Sequence, residues 1–68
     1  MTTGVIQSLT RERGFGFIKC PHNNDDIFFH HSKVDQTRFQ SLKEGQSVRF
    51  KVALTPKGLE AVSVKPAH

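Results

Sequence analysis

The chain contains no tryptophan, no tyrosine and only one cysteine among its 68 residues. The single Cys20 excludes an internal disulfide, so packing alone must stabilise a domain that is close to the lower size limit for a core. The sequence has no apolar run of about 18 residues, which excludes a membrane-spanning helix. Its N-terminal residues lack the charged-then-apolar order of a signal peptide, and we therefore expect a cytoplasmic protein.

Basic residues outnumber acidic ones, with ten Lys and Arg against six Asp and Glu, and the formal net charge is +4. A positive charge favours polyanionic partners, because Lys and Arg side chains that neutralise phosphates release counterions. The excess is modest, and many proteins reach it without binding nucleic acid. Charge alone therefore does not decide the function.

Apolar residues recur mostly at every second position, which is the period of a half-buried β-strand. In the last such run this alternation groups Val62 with Val64. The pattern predicts five strands near residues 4–10, 14–20, 26–30, 46–54 and 59–65. One helical turn is expected near 32–34, followed by a loop. Five short strands leave exposed edges unless the sheet closes, so we predict one all-β domain over residues 1–68, a five-stranded antiparallel Greek-key β-barrel (OB-fold).

Four of the six phenylalanines fall in two short clusters, GFGFI at 14–18 and IFFHH at 27–31. The alternation predicts a core that contains Ile6, Ile18, Ile27, Phe29, Val48 and Phe50. It therefore predicts that four ring-bearing side chains are exposed on the outer face: Phe15, Phe17, Phe28 and His30. Three exposed phenylalanines forgo on the order of 5–9 kcal/mol of burial. Such a display indicates a ligand with flat apolar faces, and each base stacked on a ring gains about 1–3 kcal/mol.

The residues around the two clusters support this interpretation. Gly16 lies between two rings and removes side-chain bulk on the core side, where a neighbouring strand can then approach closely. Several basic residues are suited to following a phosphate backbone: Arg11, Arg13, Lys19, Lys33, Arg38 and Lys57. Three polar residues are candidates for hydrogen bonds with base edges: Asn23, Asp25 and Asp26. The sequence thus predicts a groove that binds single-stranded nucleic acid.

Two other interpretations of the same rings remain open. In the first, Phe15, Phe17 and Phe28 belong to a second hydrophobic core or a dimer interface. In the second, they form a protein-docking face on which nucleic-acid binding is weak or vestigial. Salt dependence separates these functions, because a site that contacts phosphates weakens steeply as salt rises and an apolar protein interface does not.

Metal and catalytic sites are not predicted. Cys20, His22, His30 and His31 are residue types that zinc prefers. However, adjacent residues on a strand point to opposite faces, so His30 and His31 are not expected to share an ion. His30 also lacks a candidate nucleophile and an orienting partner. We therefore predict no metal, no cofactor and no enzymatic activity.

The segments RGFGFI at 13–18 and DIFFHHS at 26–32 closely resemble the two ribonucleoprotein-like motifs of the cold-shock domain family. The likeness extends to LKEGQSVRF at 42–50 and KGLEAVSV at 57–64. The resemblance implies a five-stranded barrel that binds single-stranded RNA and DNA and acts as an ATP-independent RNA chaperone. We expect a monomer or a weak homodimer.

By position, the resemblance implies base stacking by Phe15, Phe17, Phe28, His30 and Phe39. It implies contacts with backbone or bases for Arg13, Asp26 and Lys57, and the predicted site also includes Lys19 and His31. This chain departs from the family at Ser8 and Leu9, where Trp-Phe is usual, at Gln7, where lysine is usual, and at His31, where phenylalanine is usual. We therefore expect weaker binding, or a shorter footprint, than is typical of the family.

Overall fold

The computed structural model describes residues 2–20 and 26–67. Its five strands are β1 Thr2–Thr10, β2 Phe15–Lys19, β3 Asp26–His30, β4 Ser47–Thr55 and β5 Gly58–Pro66. Two short 3-10 turns, His31–Lys33 and Phe39–Ser41, connect β3 to β4. The five predicted strands and the helical turn expected near 32–34 are confirmed, while the second turn lies where the sequence predicts a loop. In the described ranges, no helix has the length and hydropathy needed to span a membrane.

The strands close into a barrel in the order β1-β2-β3-β5-β4. Neighbouring strands pair antiparallel except at the seam between β3 and β5, where Phe28 lies opposite Glu60 in a parallel bridge. The predicted five-stranded Greek-key barrel is confirmed, and the parallel bridge at this seam is what closes it. A closed ring with an odd number of strands cannot reverse direction at every step, so one pair of neighbours must be parallel.

The barrel interior contains the side chains of Ile6, Ile18, Cys20, Ile27, Phe29, Phe39, Leu42, Val48, Phe50, Ala61 and Val64. All six residues that the alternation assigns to the core are therefore buried. Cys20 follows the end of β2 and is 5% exposed. The side chain of Cys20 is therefore shielded from solvent.

The predicted alternation fails in β5. Ala61 and Val64 are buried, whereas Val62 is only half-buried. The pairing register of β4 and β5 shifts by one residue at this point, and Ser63 has a positive φ of 54°. An extra residue in one strand changes which face the following side chains occupy, and a two-residue period cannot anticipate it.

Candidate nucleic-acid interface

Phe15, Phe17 and Phe28 form one cluster on the outside of the barrel, which we call the aromatic patch. Phe17 and Phe28 lie directly opposite each other on β2 and β3. The ring centroids are 5.9 Å apart for Phe17 and Phe28, 5.5 Å for Phe15 and Phe28, and 6.1 Å for Phe15 and Phe17. All three rings lie outside the buried core cluster, on the face that the alternation predicts.

The rings of the aromatic patch are half-buried, so the prediction that they are largely exposed needs correction. The cause is their mutual packing, in which the ring planes meet at 38°, 70° and 87°. Each ring covers part of its neighbours, which lowers the cost of placing them outside the core. Tilted and edge-to-face pairs are worth about 0.5–1.5 kcal/mol beyond their buried area, so the patch is also held in place by its own contacts.

Three cross-strand pairs build the outer face of β2 and β3: Lys19 with Asp26, Phe17 with Phe28, and Phe15 with His30. The register therefore puts a cation and a carboxylate, both exposed, at one end of the patch. A half-buried imidazole lies at the other end. Six of the predicted site residues therefore share one surface: Phe15, Phe17, Lys19, Asp26, Phe28 and His30.

Gly16 makes the close approach behind the aromatic patch that the sequence predicts. A Cβ atom at this position would lie 2.6 Å from the carbonyl oxygen of Ser8 and 2.9 Å from the ring of Phe29. Both distances are too short for real contacts, so any larger residue would push β1 or the core ring away. The glycine lets β2 carry rings on one face while its other face packs tightly.

The turn between β4 and β5 brings a cation to the aromatic patch. The backbone N–H of Lys57 donates a 3.2 Å hydrogen bond to the hydroxyl of Thr55, which orders the turn. An open depression of about 320 Å³ is lined by Lys57 together with Phe28, Thr55, Leu59 and Glu60. Sequence reasoning missed Leu59 because nothing in its own strand pattern links it to a ring on β3.

The model of the "Cold-shock" DNA-binding domain matches residues 2–67. This chain belongs to that family.

Two relatives have almost the same length as this chain. The chain is 42% identical over 65 residues to a cold shock-like protein CspA of Stigmatella aurantiaca, covering 96% of each. It is 41% identical over 63 residues to a cold shock-like protein CspG of Shewanella violacea, covering 93% of this chain and 90% of the relative. A solved structure described as "drosophila Unr CSD456" superimposes with a TM-score of 0.80 at 31% identity, over 98% of this chain and 26% of that one.

Nucleic-acid binding is the function of this family. The residues at which this chain departs from the family pattern lie at different positions relative to the aromatic patch. The pairing of β1 with β2 shifts in register between Ile6 and Ser8. As a result Leu9 packs against the core, while Ser8 lies opposite Phe17, beside the aromatic patch. Of the two residues that replace Trp-Phe, Ser8 is therefore the one that borders the aromatic patch.

Phe39, for which the resemblance implies base stacking, is less exposed than the rings of the aromatic patch. It is 6% exposed and belongs to the core. Its ring centroid lies 5.9 Å from that of Phe29 and 6.3 Å from that of His31. The 3-10 turn Phe39–Ser41 brings this ring beside the imidazole of His31, and both residues line one depression. Base stacking by Phe39 stays a prediction.

His30 and His31 also differ from expectation. Their ring centroids are 4.2 Å apart and their planes meet at 39°. The argument that places them on opposite faces is wrong, because β3 ends at His30 and His31 begins a 3-10 turn. The Nδ1 atom of His30 is 2.9 Å from the hydroxyl of Ser32, which helps to fix this turn.

The two adjacent imidazoles do not belong to a larger group of metal-ligating side chains among the described residues. Within residues 2–20 and 26–67, no three His, Cys, Asp or Glu side chains are grouped so as to hold an ion. His22, Asn23 and Asp25, which the sequence analysis singles out, lie outside the described residues.

Proposed function

We propose that this cold-shock domain binds single-stranded RNA and DNA by stacking unpaired bases on the aromatic patch. The observation that carries the proposal is the single surface formed by Phe15, Phe17 and Phe28, with ring centroids no more than 6.1 Å apart. Each stacked base contributes about 1–3 kcal/mol, and stacking is tolerant of sequence because every base has a π-face. Binding rather than catalysis is the activity that we assign.

Charged residues at both ends of the patch supply the rest of the proposed site. Lys19 on β2 and Lys57 in the β4–β5 turn are exposed and border the rings, where they neutralise phosphates. Arg13 does the same from the β1–β2 turn. Asp26 accepts hydrogen bonds from base amino groups, and His30 extends the stacking surface beyond Phe15.

An RNA chaperone activity follows from this mode of binding. A protein that binds only unpaired bases stabilises the unfolded strand over a hairpin by mass action. No nucleotide needs to be hydrolysed, because binding energy alone shifts the equilibrium. We propose that the protein acts in this way in the cytoplasm, as a monomer or weak homodimer, on weakly folded RNA. A short RNA hairpin labelled with a fluorophore and a quencher should open as protein is added.

The direct test is a titration with an oligothymidylate strand followed by NMR, since the chain has no tryptophan or tyrosine to report by fluorescence. The ring resonances of Phe15, Phe17 and Phe28 should shift first and most. The affinity should fall with salt at a log–log slope of about −0.7 per phosphate contacted, or roughly −3 for four phosphates.

The oligonucleotide titration, with its salt dependence, also tests the open interpretations of the aromatic patch. A flat slope with retained affinity would remove Lys19, Lys57 and Arg13 from the site. Absence of oligonucleotide binding, together with concentration-dependent dimerisation through the same rings, would replace the proposal with the dimer interpretation.

A further inference from the structure

A polar depression of about 230 Å³ lies beyond the His30 end of the aromatic patch. Four potential donors line it: Arg11, Arg13, His31 and Gln40. A carboxylate, that of Glu12, shares the lining. We call this depression the arginine–histidine pocket. Two guanidinium groups and one carboxylate leave it with a net positive charge, before any proton is added to the imidazole.

The turn between β1 and β2 forms one wall of the pocket and fixes the imidazole. Gly14 has a φ of 74°, and its N–H donates a 2.9 Å hydrogen bond to the carbonyl of Thr10. The N–H of His31 donates in turn to the carbonyl of Gly14, at 2.8 Å. A Cβ at position 14 would lie 2.5 Å from Cδ2 of His31. The ring therefore rests directly on the turn backbone, with Phe39 and His30 beside it.

Arg11 is anchored by a residue that is distant along the chain. Its Nη2 donates a 2.8 Å, partly buried hydrogen bond to the carbonyl oxygen of Leu42, thirty-one residues along the chain. This bond takes one of five guanidinium N–H donors. A guanidinium anchored by one bond loses less freedom when it binds an anion, and its planar fork matches the oxygens of a phosphate.

The pocket is continuous with the aromatic patch. Phe15 lies opposite His30, and the ring centroid of His30 lies 4.2 Å from that of His31, which lines the pocket. A strand whose bases stack on the patch and run past His30 therefore reaches the pocket next. At that point His31 offers an imidazole N–H, where the family usually has a phenylalanine.

We infer that the arginine–histidine pocket binds a phosphate group of the bound strand, and this inference rests on the proposed function for the source of that phosphate. Arg11 and Arg13 neutralise the phosphate, and His31 and Gln40 donate hydrogen bonds to its oxygens. Glu12 opposes binding. The phosphate is either internal to the strand or a phosphate on one of its ends.

Arg11→Gln tests the pocket on the folded protein. Binding of hexathymidylate should become about five-fold weaker at 0.1 M salt, and its log–log salt slope should become less negative by about 0.7, the loss of one phosphate contact. Arg49→Gln is the matched control, because it removes the same charge at a position away from the pocket. Arg49 lies on β4 opposite Thr3, at the other end of β1 from Ser8. The affinity of Arg49→Gln should stay within two-fold of the parent protein. Equal slopes for Arg11→Gln and the parent overturn the inference.

Glu12→Gln provides a test of opposite sign that leaves the Arg11–Leu42 bond intact. Removing the carboxylate should tighten hexathymidylate binding by two- to five-fold, and weaker or unchanged binding counts against a phosphate in the pocket. Three versions of the strand, with a 5′-phosphate, a 3′-phosphate or neither, identify the source. If Arg11→Gln weakens the binding of all three strands, the phosphate in the pocket is internal. If it weakens the binding of only one phosphorylated strand, the phosphate in the pocket is the one at that strand's phosphorylated end.

Inorganic phosphate separates this inference from the proposed function. At constant pH and ionic strength, it should shift the His31 ring resonances saturably, and chloride should not. Arg11→Gln should abolish the shift and Phe17→Ala should retain it. If phosphate binds but no oligonucleotide does, the proposed function fails and takes with it the strand as the source of the phosphate, while the pocket remains a phosphate site. If oligonucleotides bind while phosphate has no saturable effect and the salt slopes are equal, the pocket fails and the proposed function stands.

Discussion

The two faces of β2 and β3 carry similar side chains and yet have opposite roles. On the inner face Ile18, Ile27 and Phe29 are at most 3% exposed and are surrounded by the core. On the outer face, the rings of the aromatic patch contact one another and remain half-buried. Hydrophobicity is therefore not what distinguishes a core residue from a binding residue here. The difference is whether protein or solvent occupies the far side of the ring, and each substitution below tests it.

The largest effect is expected on the inner face, for Phe29→Ala. Its ring is fully buried, so the change removes a core side chain and leaves a cavity, at a cost of about 3–5 kcal/mol in the free energy of unfolding. A domain of this size has little more than that in total. Thermal or urea unfolding should show a largely unfolded chain. A folded variant with weakened oligonucleotide binding alone would contradict the distinction between the two faces.

Phe17→Ala makes the corresponding change on the outer face. The loss of one stacking platform should weaken oligonucleotide binding by about 1–3 kcal/mol, or roughly ten- to a hundred-fold. The free energy of unfolding should fall by only about 1 kcal/mol, because the ring gives up contacts with two neighbours and no core packing. Affinity and thermal unfolding measured on the same sample decide the matter. A variant that unfolds but whose folded fraction binds normally would make Phe17 a core residue.

Ser8→Trp extends the outer face and reverses the sign of the effect. Because Ser8 lies opposite Phe17, an indole there adds a ring to the edge of the aromatic patch. We expect binding of oligothymidylate to tighten by about 1 kcal/mol, or roughly five-fold. Thr3→Trp, which adds the same ring at an exposed position of β1 opposite Arg49 and far along the strand from Ser8, is the control and should give no gain. Equal gains from both would mean that added aromatic surface acts nonspecifically.

The smallest effect is expected for Leu54→Gln, although Leu54 is 82% exposed. An aliphatic side chain surrounded by solvent contributes little to packing and offers no flat face to a base, so stability should change by less than about 0.5 kcal/mol. Oligonucleotide affinity should stay within two-fold. Leu59→Gln sharpens the comparison, because Leu59 shares a depression with Phe28 and Lys57 and its loss should weaken binding measurably more.

Most of the barrel was predictable because strand periodicity is a local property. The alternation in 14–20 and 26–30 is enough to separate Ile18, Ile27 and Phe29 from the rings on the other face. Where pairing slips by one residue, local periodicity fails, as it does at Ser63 in β5 and next to Ser8 in β1. Such bulges depend on how a strand pairs with its neighbour, and the sequence of one strand does not specify that pairing.

The candidate site divides in the same way. Residues on β2 and β3, such as Phe17, Phe28 and Lys19, could be grouped in advance because the two strands are close in sequence and their alternation is regular. The burial of Phe39, the adjacent rings of His30 and His31, and the contact of Arg11 with Leu42 could not. These features arise where a strand ends in a 3-10 turn and distant segments meet.

By itself, the sequence determined five strands, a small core and a row of rings with basic neighbours, since each depends on residues near one another in the chain. The tertiary structure alone decided three further features. It closed the barrel through a parallel seam at Phe28 and Glu60, it moved Phe39 into the core, and it assembled the arginine–histidine pocket from the turn at 11–14 and His31. The physical reason is that closure of the barrel brings together side chains whose separation along the chain gives no sign of their contact.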